Sequence, residues 1–205
     1  MIGLDRFKRQ WLRFKLEETG TALVEMMLMT PIMVWGFVIT LQFFDAYRAE
    51  LISTKAGLTI ADMYSRETGY IDSNYLNGTR SLLKFLTLAE NNPDFRVTSF
   101  YWVEATQEYK TVWSRNRGSR TNLRDNDINA MFARLPKLSD GERAILLETW
   151  TDYQPKYGDG IGIMLGTGLE PLEFSSFVVI SPRFAPAVCW NNDSATPPDP
   201  TQEKC

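Results

Sequence analysis

The chain has 205 residues and a formal net charge of −3 at neutral pH. Residues 1–20 hold five basic and three acidic side chains, so the rest of the chain has a charge of −5 and offers no basic face for nucleic acid. Histidine, the commonest general base and metal ligand, is absent. We therefore set nucleic-acid binding aside and expect neither an enzyme nor a cofactor.

The segment from Thr21 to Phe44 is the one long apolar stretch, and it contains no ionisable side chain after Glu25. As an α-helix its 24 residues would extend about 36 Å, enough to cross a hydrocarbon core of about 30 Å. A core helix seldom runs this far without a polar face. A secretory signal would have a shorter apolar region and a small-residue cleavage site, which "DAYRAELISTK" lacks. The pattern predicts a transmembrane helix over 21–44.

The charged flanks indicate the orientation of that helix. Lysines and arginines cluster in the leader, residues 1–20, and such clusters stay in the cytoplasm. Everything after about Phe44 should then face the other side. Beyond the anchor and its helical extension lie roughly 140 residues, enough for one domain that buries about two-thirds of its unfolded surface. Both cysteines, Cys189 and Cys205, fall in that part. In an oxidising compartment they could form a disulfide.

The junction between leader and helix resembles a type IV prepilin processing site. Gly20 ends the basic leader, Thr21 follows it, and Glu25 is the fifth residue after the glycine. The longer string "EETGTALVEMMLMTPIMV", with Pro31 in it, resembles more narrowly the minor pseudopilins of the tight-adherence (Tad/Flp) pilus, the TadE/TadG-like family. Residues 14–66 carry the specific part of this resemblance, and "FVVISPRFAPAVCW" is similar to the late part of such proteins.

The resemblance implies a function and a set of partners. A membrane prepilin peptidase would cleave between Gly20 and Thr21, removing the leader. The mature chain would lie in the bacterial inner membrane with a periplasmic head, or outside the cell once built into a pilus for adhesion and surface attachment. Its partners would be other Tad/Flp pilins, the inner-membrane assembly proteins and the lipid bilayer. The carboxylate of Glu25 would pair with the freed amino terminus of a neighbouring subunit and set the register between helices.

Two alternatives stay open at this point. Glu25 could lie unpaired at the cytoplasmic interface, where a charge costs less than at the membrane centre. The chain could also be a single-span periplasmic binding module or a scaffold for an envelope complex, neither of which needs a cut after Gly20. Processing at this glycine would distinguish a pilin from these proteins.

The exported part is predicted to be α+β, with an antiparallel sheet beside helices. A helical extension over 45–66 has apolar residues at spacings of three and four, and Gly69 ends it. A second helix is predicted over about 74–89, a hairpin over 95–104 and 109–114, and a short helix over 128–135. Residues 143–155 form a strand, or a helix if Ser139 and Glu142 make a capping box, and 174–180 form the last strand. The predicted parts of the chain are thus the leader (1–20), the transmembrane helix (21–44), its helical extension (45–66), the exported head (67–190) and a proline-rich, disordered tail (191–205).

Several motifs in the head have some of the residues that a binding site needs, but none has the full set. The stretch "DNDINA" begins like a calcium loop but lacks the required glycine and glutamate, so Asp125 or Asp127 should instead cap a helix. The glycines of 158–168 do not form a phosphate-binding motif. Three tryptophans are expected in the core rather than in a ligand site, and three arginines of "RNRGSR" in a solvated loop or, alternatively, at a partner contact. The tryptophans are Trp102, Trp113 and Trp150; the arginines are Arg115, Arg117 and Arg120.

Overall fold

The computed structural model describes residues 20–156, 170–191 and 203–204. They form a long apolar N-terminal helix followed by an α+β head with an antiparallel sheet and short helices. The elements in chain order are α1 (Thr21–Ser65), β1 (Tyr70–Ile71), α2 (Ser73–Thr87), β2 (Asp94–Val103), β3 (Glu108–Arg117), α3 (Asp125–Ala130), a 3₁₀ helix (Phe132–Arg134), β4 (Arg143–Tyr153), β5 (Leu172–Ile180), β6 (Cys189–Asn191) and β7 (Glu203–Lys204). Two compact units divide the chain, one of Met1–Asp45 with Lys156–Leu169 and one of Ala46–Pro155 with Glu170–Cys205. The predicted leader and the glycine-rich segment 158–168 lie outside the described residues.

The second unit begins with the last 20 residues of α1, which pack along the sheet of the head. Ala56, Ile60 and Tyr64 are buried there in one apolar cluster. The Tyr64 hydroxyl shares a hydrogen bond of 3.1 Å with Thr79 of α2. Burial raises the pKa of Tyr64 well above its ordinary value, so the phenol stays neutral. The helical extension predicted from the apolar spacing is confirmed.

Helix α2 is capped at both ends. The Asp72 carboxylate accepts a hydrogen bond of 2.7 Å from the Tyr75 N–H, which satisfies one of the free donors of the first turn. At the other end Leu88 adopts a left-handed conformation with φ 53°, and its N–H bonds back to the last turn. The helix predicted over about 74–89 is therefore confirmed, with its ends shifted by one and two residues.

The main sheet has four antiparallel strands in the order β3-β2-β4-β5. Its central strand β4 is buried over six successive residues, 144–149, which shows that both faces of the sheet are covered. The four strands predicted from their aromatic and β-branched content are confirmed. The helix alternative for 143–155 is wrong, because Arg143–Tyr153 is a strand that pairs with β2 and β5. The Ser139 N–H does donate to the Glu142 carboxylate at 2.8 Å, but this contact closes a turn before β4.

Two apolar clusters cover the sheet. On one face Ile145 and Leu147 of β4 pack with residues of α1 and α2, including Leu76. On the other face Ala144 and Leu146 pack beneath the segment between β3 and β4, whose buried members are Leu123, Ile128, Leu135 and Leu138. Burial of each such leucine or isoleucine contributes about 1.5–3 kcal/mol. The predicted polar loop 115–127 thus contributes Leu123 to the core, and the residues after it contribute the other three.

Several predicted boundaries in the head are wrong. Strand β3 runs on to Arg117, and α3 starts at Asp125 because the Asp127 carboxylate accepts a hydrogen bond of 2.9 Å from the Arg124 N–H. The helix predicted over 128–135 stops at Ala130 and resumes as a 3₁₀ turn. The 115–127 loop therefore shortens to about half its predicted length.

The prediction that 174–180 is the last strand is also wrong. A second sheet, ordered β1-β6-β7, joins a parallel pair to an antiparallel one. Asn191, the predicted start of the disordered tail, is buried in β6, and Glu203–Lys204 pair with that strand. Strands of two or three residues have no local periodicity, and their partners are far away in sequence. The other tail residues lie outside the described residues.

Two glycines on the head's helices provide a matched test of helix-to-sheet packing. A Cβ at Gly57 of α1 would lie 2.7 Å from the Ser176 Oγ of β5, whereas a Cβ at Gly78 of α2 would meet nothing within 4 Å. We predict that Gly78→Ala raises the free energy of unfolding by about 0.5–1 kcal/mol through helix propensity. Gly57→Ala should instead lower it by about 1–3 kcal/mol, because the extra methyl overpacks the interface. Denaturant unfolding in detergent, followed by tryptophan fluorescence, measures both; equal stabilisation by the two variants would contradict this packing.

Candidate functional site

The N-terminal half of α1 carries a continuous apolar surface. Its most apolar 18-residue window has a mean hydropathy of 1.9, and none of that window is buried. By length and composition this helix can cross a membrane. A buried core helix would hide these side chains, whereas here the large apolar ones are exposed. They are Leu23, Val24, Met26, Met27, Leu28, Met29, Ile32, Met33, Val34, Trp35, Phe37, Leu41, Phe43 and Phe44.

The start of α1 contains the residues of the predicted processing site. Gly20 is exposed, and the helix begins at the next residue, Thr21. Glu25 is exposed too and lies one turn further along, so positions 21 and 25 are on the same face of the helix. It is the only charged residue between Thr21 and Phe44. The cleavage and pairing roles of these residues remain predictions.

Two threonine hydroxyls of the apolar stretch are hydrogen-bonded within the helix, although its proline leaves one carbonyl without a backbone donor. Pro31 lies inside the helix and cannot donate to the carbonyl of Met27. The Thr30 hydroxyl donates to the Met26 carbonyl at 2.7 Å, and the Thr40 hydroxyl donates to the Gly36 carbonyl at 2.8 Å. Both threonines thereby hide their own polar groups in the helix. This internal pairing is what a polar side chain needs in a bilayer.

Aromatic side chains mark the far end of the apolar stretch. Phe43, Phe44 and Tyr47 are exposed there, and Asp45 and Arg48 are the first charged residues after Glu25. Tyrosine and tryptophan are enriched where a membrane helix meets water, because their rings are apolar and their polar atoms reach the headgroups. The pattern is typical of a membrane–water boundary near residues 43–48.

The acidic groups of the head serve its fold. Asp125 accepts a hydrogen bond of 2.8 Å from the Thr111 N–H and so ties α3 to β3, while Asp127 caps α3 as predicted. Over residues 20–156 and 170–191 no three acidic or cysteine side chains cluster as a metal site would require. These geometries assign structural roles to the "DNDINA" carboxylates.

The prediction of a solvated "RNRGSR" loop is wrong for Arg115 and Arg117, which lie in β3, whereas Arg120 lies outside the strand and is partly exposed. Arg115 stacks over the ring of Trp190 at 4.7 Å, and burial lowers its pKa, with the charge of Arg117 adding to that effect. Arg117 donates to the Asn77 carboxamide at 2.8 Å, and Arg120 binds both Glu173 oxygens at 2.7 Å. Each arginine is therefore engaged within the head.

The expectation for the tryptophans is correct in two cases of three. Trp102 and Trp113 are buried, but Trp150 is half-buried at the surface. Its ring lies 5.3 Å from the Arg96 guanidinium and 4.8 Å from that of Arg120. Cation–π contacts of this kind contribute about 0.5–2 kcal/mol each.

Sequence reasoning missed the ion pair beside Trp150. The Arg96 guanidinium lies 2.6 Å from the Glu148 carboxylate, and both side chains are about nine-tenths buried, with 11% and 8% exposed. Removing one partner from such a pair costs about 3–5 kcal/mol, because the other charge stays buried. The two residues are 52 positions apart, and only the β2–β4 register brings them together.

Cys189 is disulfide-bonded. The only other cysteine of the chain is Cys205, which lies outside the described residues. The antiparallel register pairs Trp190 with Lys204 and Asn191 with Glu203, so the strand that begins at Cys189 pairs with the two residues that precede Cys205 in the sequence. The pairing of these two cysteines stays a prediction, and the strand register favours it.

Comparison of the chain with protein-family models, with curated proteins and with solved structures returned no match. The class of protein defined by the described residues is a chain with one helix able to span a membrane and an α+β head.

We predict that Cys205→Ser destabilises the head and frees the thiol of Cys189. A bridge that closes a loop of about this length stabilises a protein by roughly 3 kcal/mol in the chain-entropy model. Thiol labelling without reductant, followed by intact mass, should show no label on the wild-type protein and one on the variant. If Cys189 stays unlabelled in Cys205→Ser, its partner is another molecule rather than Cys205.

Proposed function

We propose that this chain is a non-enzymatic minor pilin, or pseudopilin, of a Tad/Flp-type pilus that serves adhesion and surface attachment. It inserts in the bacterial inner membrane with its N-terminus in the cytoplasm and its head in the periplasm. A prepilin peptidase then cleaves it after Gly20. The observation that carries this proposal is the exposed apolar part of α1, which starts directly after Gly20 and contains one charge, at Glu25.

The exposed apolar surface supports the membrane part of the proposal. Burial of a large apolar side chain is worth about 1.5–3 kcal/mol. The free-energy cost of leaving all the exposed apolar side chains of α1 in water is therefore far larger than the energy of any single contact. A bilayer removes them from water, and so does a bundle of like helices in a filament. A pilin subunit uses both surroundings in turn, first as a membrane protein and then as part of an assembly.

The position of Glu25 supports the assembly part. A lone charge in a membrane costs at least about 2.5–3.5 kcal/mol at the centre and less near the interface. Cleavage after Gly20 creates a positive amino group on Thr21, one helical turn before that carboxylate. In a stack of subunits the amino group of one chain can neutralise Glu25 of its neighbour. The pair offsets the cost of both charges and fixes the axial register of the helices.

Glu25 variants test this proposal. Glu25→Ala removes a membrane charge without touching Gly20 or the apolar stretch, so the chain should still insert and its mature form should start at Thr21. We predict that co-purification with the other pilins falls at least about tenfold, because the neighbouring amino group loses its partner. Glu25→Asp keeps the charge but has a side chain shorter by one methylene. Its co-purification with the other pilins should lie between that of the wild type and that of Glu25→Ala.

The matched control is Glu50→Ala, which removes an exposed acid of the same helix beyond the apolar stretch and should assemble like the wild type. Intact mass reports cleavage, and cross-linking of membranes from cells with an active prepilin peptidase reports assembly. Recovery of only the full-length chain would contradict the pilin proposal and favour a tethered binding module or scaffold. Normal assembly of mature Glu25→Ala would leave the processing intact but remove the pairing role.

A further inference from the structure

The part of α1 that belongs to the head has a buried side and an exposed side. Three large apolar side chains lie on the exposed side, Tyr47 at 60% exposure, Leu51 at 42% and Leu58 at 53%. Leu51 and Leu58 follow the membrane–water boundary near residues 43–48, so the hydrocarbon of a bilayer does not cover them. The buried residues of this part pack on the sheet or in the apolar cluster that covers it; they are Ser53, Ala56, Gly57, Ile60 and Tyr64.

The exposed side follows the spacing of a coiled coil. Tyr47, Leu51, Thr54 and Leu58 are separated by four, three and four positions, and all four are exposed and uncharged. These are the intervals between the a and d positions of a heptad, at which the side chains of two parallel helices meet. A single exposed leucine is common on protein surfaces. Four uncharged residues at this spacing, which we call the α1 seam, are typical of a contact between helices.

The charges beside the α1 seam indicate what covers it. With Leu51 and Leu58 as a positions, Glu50 is a g position and Lys55 is the e position of the next heptad. In two parallel helices in register, each g residue lies beside the following e residue of the other helix, and such pairs set partner and orientation. Glu50 of each copy would thus lie beside Lys55 of the other. Neither side chain forms an ion pair with another residue in the part of the chain that the structure describes.

We propose that the α1 seam pairs with the same seam of a second copy, as a short parallel coiled coil whose two-fold axis runs along the helices. Copies inserted in one membrane through the same helix have the same orientation and height, so identical residues meet in register. The sheet of each head packs on a different side of α1 and lies outside the pair. The seam is complementary to itself in both its apolar residues and its flanking charges, as a two-fold interface requires.

This inference stands apart from the proposed role in a pilus. Counted back along the same heptads, Glu25 is a c position and does not belong to the a and d positions of the repeat. Its pairing with a neighbouring amino group would use another side of α1. The pairing of two copies also needs neither cleavage after Gly20 nor any other pilin. It is therefore tested on the full-length chain produced alone, without a prepilin peptidase.

Two threonines of α1 provide a matched cross-linking test in membranes. Thr54→Cys puts a thiol in the seam, and Thr59→Cys puts one on an exposed residue that is a b position, outside the seam. The axes of packed helices are about 8–10 Å apart, so two facing seam residues are within reach of a short thiol-to-thiol cross-linker. We expect a dimer in high yield from Thr54→Cys and at least about tenfold less from Thr59→Cys. The wild-type chain gives the background of the native cysteines.

Charge reversal tests the register of the pair. In the Thr54→Cys background, Glu50→Lys brings two lysines together at each flank of the seam, and Lys55→Glu brings two acids together. Each reversal should lower the dimer yield at least about threefold, and the double reversal, which restores opposite charges, should recover it. Glu50→Ala alone should change the yield little, because exposed ion pairs contribute little to affinity.

Four results would overturn this pairing. Equal yields from the two threonine positions would mean random collision in the membrane. A cross-linked product whose mass is not twice that of the chain would mean that another protein occupies the seam. Equal yields from the single and double charge reversals would contradict the parallel, in-register arrangement. Absence of any dimer above the wild-type background would show that the seam does not pair.

Discussion

The fourteen exposed large apolar side chains between Leu23 and Phe44 need surroundings other than water. They are already partly covered by the helix itself, and removing the rest from water is worth of the order of 10–20 kcal/mol. That is as much as the whole net stability of a typical domain, about 5–15 kcal/mol. The other features of the helix agree with this constraint. Its threonines bond internally, its charges stop at Glu25 and resume at Asp45, and its aromatic side chains collect near the second of these boundaries.

The head meets the opposite constraint, since it must be stable against water on all sides. It does so by covering both faces of one sheet, with α1 and α2 on one side and the segment between β3 and β4 on the other. Gly118 shows how closely that segment is fixed. It adopts φ +123°, and an added Cβ would lie 1.8 Å from the Asp94 carboxylate, which accepts from the Ser119 N–H and hydroxyl. The segment between β3 and β4 is therefore an ordered part of the packed head, although about half of its residues are polar.

The sequence predictions were right for those elements that depend on residues close together in the chain. The apolar spacing of α1, the approximate span of α2 and the β-branched runs of the main sheet each depend on neighbours a few residues apart, and all were predicted. The contacts of Arg115, Arg117 and Arg120 were not, because each depends on a residue brought near by strand register or helix packing. The same is true of the Arg96–Glu148 pair and of the short strands β1, β6 and β7. Of the candidate site, the apolar stretch could be recognised from composition, but whether Glu25 has a partner depends on a second chain.

The most direct test of the account is the environment of the middle of the apolar stretch. A spin label attached to Val34→Cys of the full-length protein in lipid bilayers reports on its surroundings through collisions with oxygen and with a water-soluble nickel chelate. The account predicts that oxygen, which concentrates in the hydrocarbon, relaxes the label strongly and that the nickel chelate does not. A label on Ser81→Cys, on the exposed face of α2, should show the reverse. Equal access of the nickel chelate to both positions would contradict a helix that crosses the membrane.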